Sequence, residues 1–350
     1  MKHQTTRYGE IPLYKIGTFG NTADAFISKK LFLEYKTKYS FPKKGDILIS
    51  ASGTIGRAVI YDGKPAYFQD SNIVWIDNDE TLVKNDFLFY AYSHVKWNTE
   101  HTTILRLYND NFRNTLIPLP PLNEQSAIAN ILSTLDRYLY NLDALILKKE
   151  SVKKALSFEL LSQRKRLKGF NQAWQRVRLG DICEIVKGQQ INKISLNNTD
   201  KYPVINGGID FLGYTNKFNV SKNTIAISEG GTCGYVRFMT SDFWSGGHNY
   251  SLQKINNKVN NLCLYHILKS YEKDIMKLGV GSGLKNIQLK ALKDFEILLP
   301  PLNEQSAIAN ILSSLDNEIA SLKNKKRQFE NIKKALNHDL MSAKIRVLKK

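Results

Sequence analysis

A glycine-rich segment in the second half of the sequence is the first candidate for chemistry. Gly279-Val-Gly-Ser-Gly-Leu-Lys285 combines three glycines with a lysine, as phosphate-binding loops do. A Walker loop requires Gly-Lys-Ser/Thr in direct succession, whereas Leu284 separates Gly283 from Lys285 here. This spacing argues against a nucleotide site. A loop that carries Lys285 and Asn286 suits a nucleic-acid backbone equally well, because backbone amides and a nearby cation bind phosphate.

Histidine and cysteine, the usual metal ligands, show no productive spacing in this sequence. The histidines lack paired ligand spacing, and the cysteines are too scattered for a disulfide framework or a four-ligand zinc site. These residues are His3, His94, His101, His248, His266, His338, Cys183, Cys233 and Cys263. No Asn-Pro-Pro-aromatic or Asp-Pro-Pro-aromatic motif of an adenine methyltransferase occurs. We therefore expect a non-catalytic chain that holds no metal and no cofactor of its own.

An internal repeat dominates the sequence. LPPLNEQSAIANILSTLD at 119–136 recurs as LPPLNEQSAIANILSSLD at 299–316, with seventeen of eighteen positions identical. The offset of 180 residues persists further along, for example at 153–156 and 333–336, which both read KKAL. Such self-similarity at a fixed offset indicates that a unit of about 180 residues has been duplicated.

Each copy of the repeated block predicts a long α-helix. Pro-Pro precedes the block, Asn123 or Asn303 can cap the helix, and no glycine or proline follows until Gly169 or the end of the sequence. Apolar residues at alternating spacings of four and three form the stripe of a coiled coil. The stripe includes Ile128, Leu132, Leu135, Leu142, Ile308, Leu312, Leu315 and Leu322. About 40 residues at 1.5 Å each give a rod of roughly 60 Å.

The two long helices are predicted to pair with each other. The first carries the chain from one globular segment to the next, and an antiparallel second helix returns it to the start. The predicted fold is mixed α/β: two target-binding domains separated by two long antiparallel coiled-coil helices, related by a pseudo-twofold axis. A homodimeric or filamentous coiled coil has the same periodicity and stays open as an alternative.

The globular segments share landmarks but differ in sequence. Ser50-Ala-Ser-Gly-Thr-Ile-Gly56 corresponds to Ser228-Glu-Gly-Gly-Thr-Cys-Gly234, and each predicts a strand, a glycine turn and a second strand. We predict globular domains at 1–118 and 171–298, with long helices at 119–170 and 299–350. Two diverged domains on a shared frame indicate two different targets.

The charge balance favours a polyanionic partner. The 350 residues carry 50 Lys+Arg against 32 Asp+Glu, a formal net charge of +18, spread along the chain. Lysine and arginine that neutralise phosphates release counterions and gain affinity without sequence preference. The sequence shows neither 18 consecutive apolar residues nor the apolar core of a signal peptide. We therefore expect a cytoplasmic protein that does not bind membranes.

The repeated block resembles that of a known family. Pro-Pro-Leu followed by Glu-Gln and an Ile-Ala-containing helix, twice, each after an α/β segment, is similar to the DNA specificity subunit of type I restriction-modification systems. The resemblance covers nearly the whole chain. It implies two target-recognition domains that each read half of a bipartite double-stranded DNA site, and helices that dock two methyltransferase subunits. It also implies that S-adenosylmethionine belongs to the methyltransferase partner and that restriction (motor-nuclease) subunits are further partners.

Candidate DNA-binding residues are polar or basic side chains near predicted turns. In the first domain they are Lys29, Lys30, Lys43, Lys44, Arg57, Lys64, Gln69 and Asn72. In the second they are Gln189, Gln190, Lys193, Tyr214, Lys217, Arg237, Asn249, Lys285 and Asn286. Each residue taken singly also fits a solvated surface position. A coiled-coil adaptor without sequence-specific DNA binding, and a metal-dependent nuclease, remain alternatives at this stage.

The two domains are expected to differ at their openings. Trp174-Gln-Arg-Val-Arg-Leu-Gly-Asp-Ile-Cys-Glu-Ile-Val-Lys-Gly188 begins the second domain and looks like the family's usual opening. Pro12 matches Pro203, but 11 residues precede Pro12 where 29 run from Trp174 to Pro203. We expect the first domain to be short by about 18 residues at its start, with compensating length around residues 29–44.

Overall fold

The computed structural model describes residues 4–68, 72–97 and 105–348. The chain forms two compact units. Unit 1 consists of Met1–Asp143 and Asn324–Lys350, and unit 2 consists of Ala144–Lys323. The division falls inside the two long helices, so each helix contributes one half to each unit.

The predicted mixture of helices and strands is confirmed. Up to the first long helix the elements are β1 (Ile11–Leu13), β2 (Ala25–Ile27), α1 (Lys29–Lys38), β3 (Ile47–Ser50), β4 (Ala58–Ile60), β5 (Ile73–Ile76), α2 (Asn85–His94), α3 (Asn109–Arg113) and α4 (Leu122–Leu161). The elements that follow are β6 (Gln175–Arg178), α5 (Leu179–Ile182), β7 (Glu184–Lys187), a 3₁₀ turn (Lys193–Ser195), β8 (Tyr202–Ile205), β9 (Gly213–Thr215), β10 (Thr224–Ser228), β11 (Val236–Met239), β12 (Trp244–Ser245), β13 (Asn249–Gln253), α6 (Asn261–Ser270), α7 (Glu272–Lys277), β14 (Gly279–Val280), β15 (Asn286–Ile287), α8 (Leu289–Lys293), β16 (Glu296–Leu299) and α9 (Leu302–Met341).

Unit 1 is built on a three-stranded antiparallel sheet in the order β4-β3-β5. Strand β3 is central, and Ile47, Leu48 and Ile49 are at most 1% exposed. Both faces of this strand are therefore covered, which explains its continuous apolar run. Leu88 of α2 packs on one side of the sheet, and β1 and β2 form a separate antiparallel pair.

Unit 2 contains a four-stranded antiparallel sheet in the order β11-β10-β13-β7. A second sheet joins β12, β8 and β9, with β12 parallel to β8. Helix α6 packs against β10 and β11, and its buried residues Leu264 and Ile267 belong to the core of this unit. The sheet and the helix together fix the loops that join the strands.

The two predicted long helices are present, and each has 40 residues. They begin at Leu122 and Leu302, one residue before the asparagines that the sequence suggested as caps. In α4 the carbonyl of Pro121 accepts the N–H groups of Glu124 and Gln125 at 2.9 Å. Asn123 therefore lies in the first turn, where its Oδ1 accepts the Glu124 N–H at 2.9 Å.

Salt bridges show how the long helices run within each unit. In unit 1, Asp136 of α4 pairs with Lys333 of α9 at 2.5 Å, and Asp143 pairs with Lys326 at 2.7 Å. The partner in α9 thus moves seven residues back as the residue in α4 moves seven residues forward. The two helix halves are thus antiparallel there. In unit 2, Lys149 bonds Glu318 at 2.7 Å and Lys153 bonds Asp316, in the same antiparallel sense.

The glutamine of each repeated block joins its helix to a neighbouring loop. Gln125 is fully buried in unit 1, where its Nε2 donates to the carbonyls of Leu82 and Pro120 and its Oε1 accepts the Lys84 N–H. All three distances lie between 2.8 and 3.0 Å. Because its amide nitrogen and oxygen both form hydrogen bonds to backbone atoms, burying this side chain leaves no polar atom of the amide without a partner.

Unit 2 repeats the same joint. Gln305 donates to the carbonyls of Lys258 and Pro300 at 3.1 and 2.7 Å and accepts the Asn260 N–H at 2.7 Å. Gln305 is 1% exposed. The same side chain thus holds a globular part to the start of a long helix in both units.

The glutamate of each block binds an arginine beyond the end of the other long helix. Glu124 accepts two hydrogen bonds from Arg346 at 2.6 and 2.5 Å, and Glu304 accepts two from Arg166 at 2.7 Å each. The Arg346 guanidinium lowers the pKa of Glu124. Both carboxylates are at most 3% exposed, and each forms a bidentate pair with a guanidinium inside the protein.

Candidate nucleic-acid interface

Both units contain the predicted strand, glycine turn and second strand. In unit 1 the turn joins β3 to β4, and the N–H of Gly56 donates to the carbonyl of Ser50 at 2.9 Å. In unit 2 it joins β10 to β11, and Gly234 donates to Ser228 at 2.8 Å. Both glycines have positive φ, 78° and 85°, which other residues rarely adopt.

In unit 2 the chain segments around this turn approach one another very closely. A Cβ at Gly230 would lie 2.2 Å from Asn286 Oδ1 and 3.7 Å from His248 Nδ1. A Cβ at Gly247 would lie 2.5 Å from Gln190 Nε2. A Cβ at either position would therefore displace the end of the neighbouring amide side chain. We call the surface formed by these five residues the glycine-lined face; its exposed amide side chains, Gln190 and Asn286, lie against the two buried glycines.

A buried carboxylate supports the glycine-lined face from below. Glu229 is 8% exposed, and it accepts a hydrogen bond from Lys187 Nζ at 2.6 Å, with His248 Nδ1 3.7 Å away. Its backbone N–H donates to the His248 carbonyl, and its carbonyl accepts the Ile287 N–H, both at 2.9 Å. Three separate loops are thereby fixed to one residue. Burial raises the pKa of neighbouring Tyr250 to about 12, so its hydroxyl stays protonated and donates to the Ile287 carbonyl.

Three candidates lie on or beside this face. Gln190 and Asn286 belong to it, and Lys285 precedes Asn286 in an exposed loop. Gln189 is exposed, while its backbone bonds β12: its N–H donates to the Ser245 carbonyl at 2.8 Å and its carbonyl accepts Trp244 Nε1 at 3.0 Å.

Arg237 differs from a fully exposed surface residue, because it is half-buried in unit 2. Its guanidinium donates to the carbonyls of Gly208, at 3.1 Å, and Ile209, and its Cζ lies 5.3 Å from the ring centroids of Phe211 and Tyr235. Partial burial lowers its pKa. These contacts use the guanidinium to shape the loop at residues 207–211, and the DNA-binding role of Arg237 stays a prediction.

Asn249 also departs from the prediction. It is 2% exposed inside β13, and its Nδ2 has no hydrogen-bond partner among the described residues. Strand pairing aligns Ser228 with Asn249 and Ser50 with Ile73. The true counterpart of Asn72 is therefore His248, and a slip of one residue turns a side chain to the other face of the sheet.

The remaining candidates of unit 2 are spread over other loops. Lys193 begins the exposed 3₁₀ turn, and Lys217 is exposed after β9. Tyr214 is half-buried in β9, and its ring lies 6.1 Å from Phe211, which connects it to the loop that Arg237 holds.

In unit 1 the structure brings three candidate lysines together. The side chain of Lys44 packs against Gly63, the residue before Lys64. A Cβ at Gly63 would lie 3.1 to 3.3 Å from the Lys44 side-chain carbons. Lys43 forms a salt bridge with Asp77 at 3.1 Å, and Lys64 forms one with Asp62 at 3.3 Å. Exposed pairs of this kind contribute little stability and release the lysines readily to a phosphate.

The other candidates of unit 1 lie apart from this group. Arg57 precedes β4, at the end opposite Lys64, and its Nη1 donates to the Phe19 carbonyl at 3.0 Å. Lys29 and Lys30 are exposed in the first turn of α1. Asn72 is half-buried before β5, and Gln69 lies outside the described residues.

The predicted coiled-coil residues divide into two groups. Ile128, Leu132, Ile308 and Leu312 are at most 2% exposed. The first two pack against Phe87 and Tyr90 of α2, and the last two against the core around α6. They therefore anchor the globular parts as well as the long helices. Leu142 is 5% exposed, whereas Leu135, Leu315 and Leu322 are half-buried.

Sequence reasoning missed Glu229 and Lys187, which support the glycine-lined face, and His248, which belongs to it. They come from separate loops, so no spacing connects them. The one available signal was the glutamate within Ser228-Glu-Gly-Gly, which has no counterpart in Ser50-Ala-Ser-Gly. Across residues 4–68, 72–97 and 105–348, no cluster of three or more His, Cys, Asp or Glu could hold a metal ion. No helix in these ranges is long and apolar enough to cross a membrane.

Comparison with known proteins identifies the family. The family described as the type I restriction modification DNA specificity domain matches residues 1–149 and 171–331, which is most of the chain. The chain belongs to this family. The resemblance drawn from the repeated helical block is thereby confirmed, and the reading as a DNA specificity protein is supported over the coiled-coil adaptor.

Individual relatives agree with this assignment. A type I restriction enzyme specificity subunit of Methanocaldococcus jannaschii is 27% identical over 93% of this chain and 84% of its own length. A Haemophilus influenzae protein, provisionally named a type I restriction enzyme specificity subunit, is 64% identical. The match spans 38% of this chain and 34% of the length of that relative. The crystal structure of a type I S subunit from M. genitalium shares the fold, with a TM-score of 0.72, 21% identity and coverage of 97% of this chain and 91% of that one.

Proposed function

We propose that this chain is the sequence-reading subunit of a type I restriction-modification complex, and that each globular part reads one half of a bipartite double-stranded DNA site. The glycine-lined face is the observation that carries the proposal for unit 2. Gln190 and Asn286 are exposed and lie against glycines, and amide side chains bond adenine edges through paired donors and acceptors. Lys285 next to this face suits a phosphate contact.

The lysine group of unit 1 supports the corresponding role there. Lys43, Lys44 and Lys64 cluster around one turn, and only weak surface pairs occupy them. They would supply affinity through phosphates. Base reading in unit 1 would come from polar residues outside this lysine group, such as Asn72.

The long helices would form an antiparallel coiled coil that fixes the spacing of the two half-sites and docks two methyltransferase subunits. The salt bridges within each unit support the antiparallel sense. Docking is supported by apolar side chains on the outer surface of the helices, since Ile131, Leu145 and Ile332 are 37%, 38% and 49% exposed. The methyltransferase partner would bind S-adenosylmethionine, and restriction subunits would join the same assembly.

The experiment reconstitutes the chain with its methyltransferase subunit and maps methylated sites on random DNA. Asn286→Ala and Gln190→Ala are expected to relax one half-site, with a loss of about 1–3 kcal/mol at the affected base pair. Lys285→Ala is expected to weaken binding evenly and to lower the salt dependence by about one counterion. Lys290→Ala, on exposed α8, is the matched control. Methylation without sequence preference, or unaltered half-sites in the amide variants, would overturn the proposal.

A further inference from the structure

Unit 2 is closed by the segment at residues 174–183. Strand β6 pairs with β16, and the N–H of Leu179 donates to the Phe295 carbonyl at 3.0 Å. Leu179 is fully buried and Ile182 is 8% exposed in the core of the unit. Trp174 begins the segment, and its indole N–H donates to Glu304 at 3.0 Å. The segment thus contributes an aromatic anchor, a strand and an apolar turn.

The 180-residue offset identifies the corresponding position in unit 1. Residues 115–119 match 295–299, and Glu124 matches Glu304. Leu299 is 8% exposed beneath β6, whereas its counterpart Leu119 is 55% exposed and Leu116 is 93% exposed. No hydrogen bond within the described residues reaches the backbone of residues 116–119. The strand position that β6 covers in unit 2 is thus an open edge in unit 1.

Two cavities adjoin this open edge. One measures about 880 Å³ and is lined by the end of α2, by Asn114 and by Thr115. In unit 2 the corresponding space is filled by α5. Its Gly180 packs closely against Lys293 of α8, since a Cβ at Gly180 would lie 3.1 Å from the Lys293 side chain. The other cavity measures about 230 Å³ and lies beside Glu124 and Arg346, where Trp174 lies in unit 2.

The sequence of the open edge is compatible with a paired strand. Pro118 has no N–H and matches Leu298. In the β6–β16 pair, the backbone of Phe295 points toward β6, since its carbonyl accepts the Leu179 N–H. Along an antiparallel pair, every second residue forms hydrogen bonds to the partner strand. Ile297 and Leu299 therefore share the edge that faces β6, and Leu298 points its N–H away. A proline at this position removes no hydrogen bond to an added strand.

We infer that unit 1 carries an acceptor site for a polypeptide segment with the pattern of residues 174–183. The aromatic residue would enter the cavity beside Glu124, the strand would pair with residues 115–119, and the Leu-Gly-Asp-Ile turn would fill the larger cavity. Main-chain pairing would supply much of the affinity, and the two cavities would select the side chains. Unit 2 is the template for the occupant, since it fills the matching site with its own segment.

The test is a full-length chain with a second copy of residues 171–187 appended after Lys350, the position that the 180-residue offset prescribes. Hydrogen exchange at Ile117 and Leu119 is the measurement. We expect exchange at least about tenfold slower than in a matched fusion whose appended copy carries Leu179→Asp and Ile182→Asp. Adding Ile117→Pro, which removes a donor that faces the added strand, is expected to abolish the protection.

A free peptide with the sequence of residues 171–187 tests the same site on the unmodified chain. Saturable binding that Ile117→Pro removes would support the acceptor. If the intact and the Asp-substituted fusions gave equal exchange at residues 115–119, the inference would be wrong. Neither outcome depends on DNA binding, so this test is separate from that of the proposed function.

Discussion

Replacing Arg166 by methionine is expected to destabilise unit 2 strongly. Glu304 is 1% exposed and accepts two hydrogen bonds from Arg166 at 2.7 Å each and one from the Trp174 indole at 3.0 Å. Methionine keeps the aliphatic part of the side chain but removes two of these three donors and the positive charge. The carboxylate then stays buried with the indole as its one side-chain donor.

The magnitude follows from the burial of the pair. Breaking a buried ion pair from one side costs about 3–5 kcal/mol, because the remaining charge is uncompensated. The Arg166 side chain is 25% exposed, so water can enter part of the space it leaves. We therefore expect the lower end, about 3 kcal/mol, which corresponds to roughly a 150-fold change in the opening equilibrium.

Hydrogen exchange of β10 and α6 is the suitable assay, because the two units need not unfold together and a single melting temperature would mix them. Arg166→Met is expected to accelerate exchange in unit 2 while exchange in β3 of unit 1 stays unchanged. Adding Glu304→Gln is expected to recover most of the loss, since a neutral amide is cheaper to bury. A loss below about 1 kcal/mol, or no recovery in the double variant, would refute the reasoning.

Three further predictions concern packing, pH and modularity. Leu312→Ala, at a fully buried position, is expected to cost unit 2 about 3 kcal/mol, against about 1 kcal/mol or less for half-buried Leu322→Ala; urea unfolding followed by hydrogen exchange measures both. Burial lowers the pKa of His266 to about 4 from 6.5, so over this range the unfolded chain binds a proton that the folded chain does not. Between pH 6.5 and 5 the free energy of unfolding is therefore expected to fall by about 1–2 kcal/mol more than in His266→Gln. Replacing residues 174–298 by the same region of a relative is expected to change one half-site only, as methylome sequencing would show; a change in both half-sites or in their spacing would contradict independent reading.

The long helices could be predicted because their signals are local. Pro-Pro marks the start, the absence of glycine permits continuation, and the apolar spacing of four and three requires a packed face. What the spacing does not reveal is the identity of the packed neighbour. Ile128 and Leu132 contact α2 of unit 1 as well as the end of α9, because a stripe suited to a coiled coil suits any helix laid against it.

The candidate DNA-binding surface was only partly predictable. Gln190, Lys285 and Asn286 could be proposed because they lie next to glycine-rich turns, and the structure places all three at the glycine-lined face or beside it. Arg237 and Asn249 could not be judged, since their environment depends on contacts with distant segments. The role of Glu229 could not be predicted for the same reason, because this residue joins three loops that are far apart in sequence.

The near-identity of the two repeated blocks has a physical basis in the bonds that the blocks make. Gln125 and Gln305 bond only backbone atoms of the globular parts, at residues 82 and 84 in one unit and at 258 and 260 in the other. Because these hydrogen bonds involve only backbone atoms of the loop, they constrain the path of its backbone and not the identity of its side chains. The globular parts can therefore diverge in sequence while the helix that carries each glutamine stays the same, and a relative's domain should fit here wherever its loop follows this path.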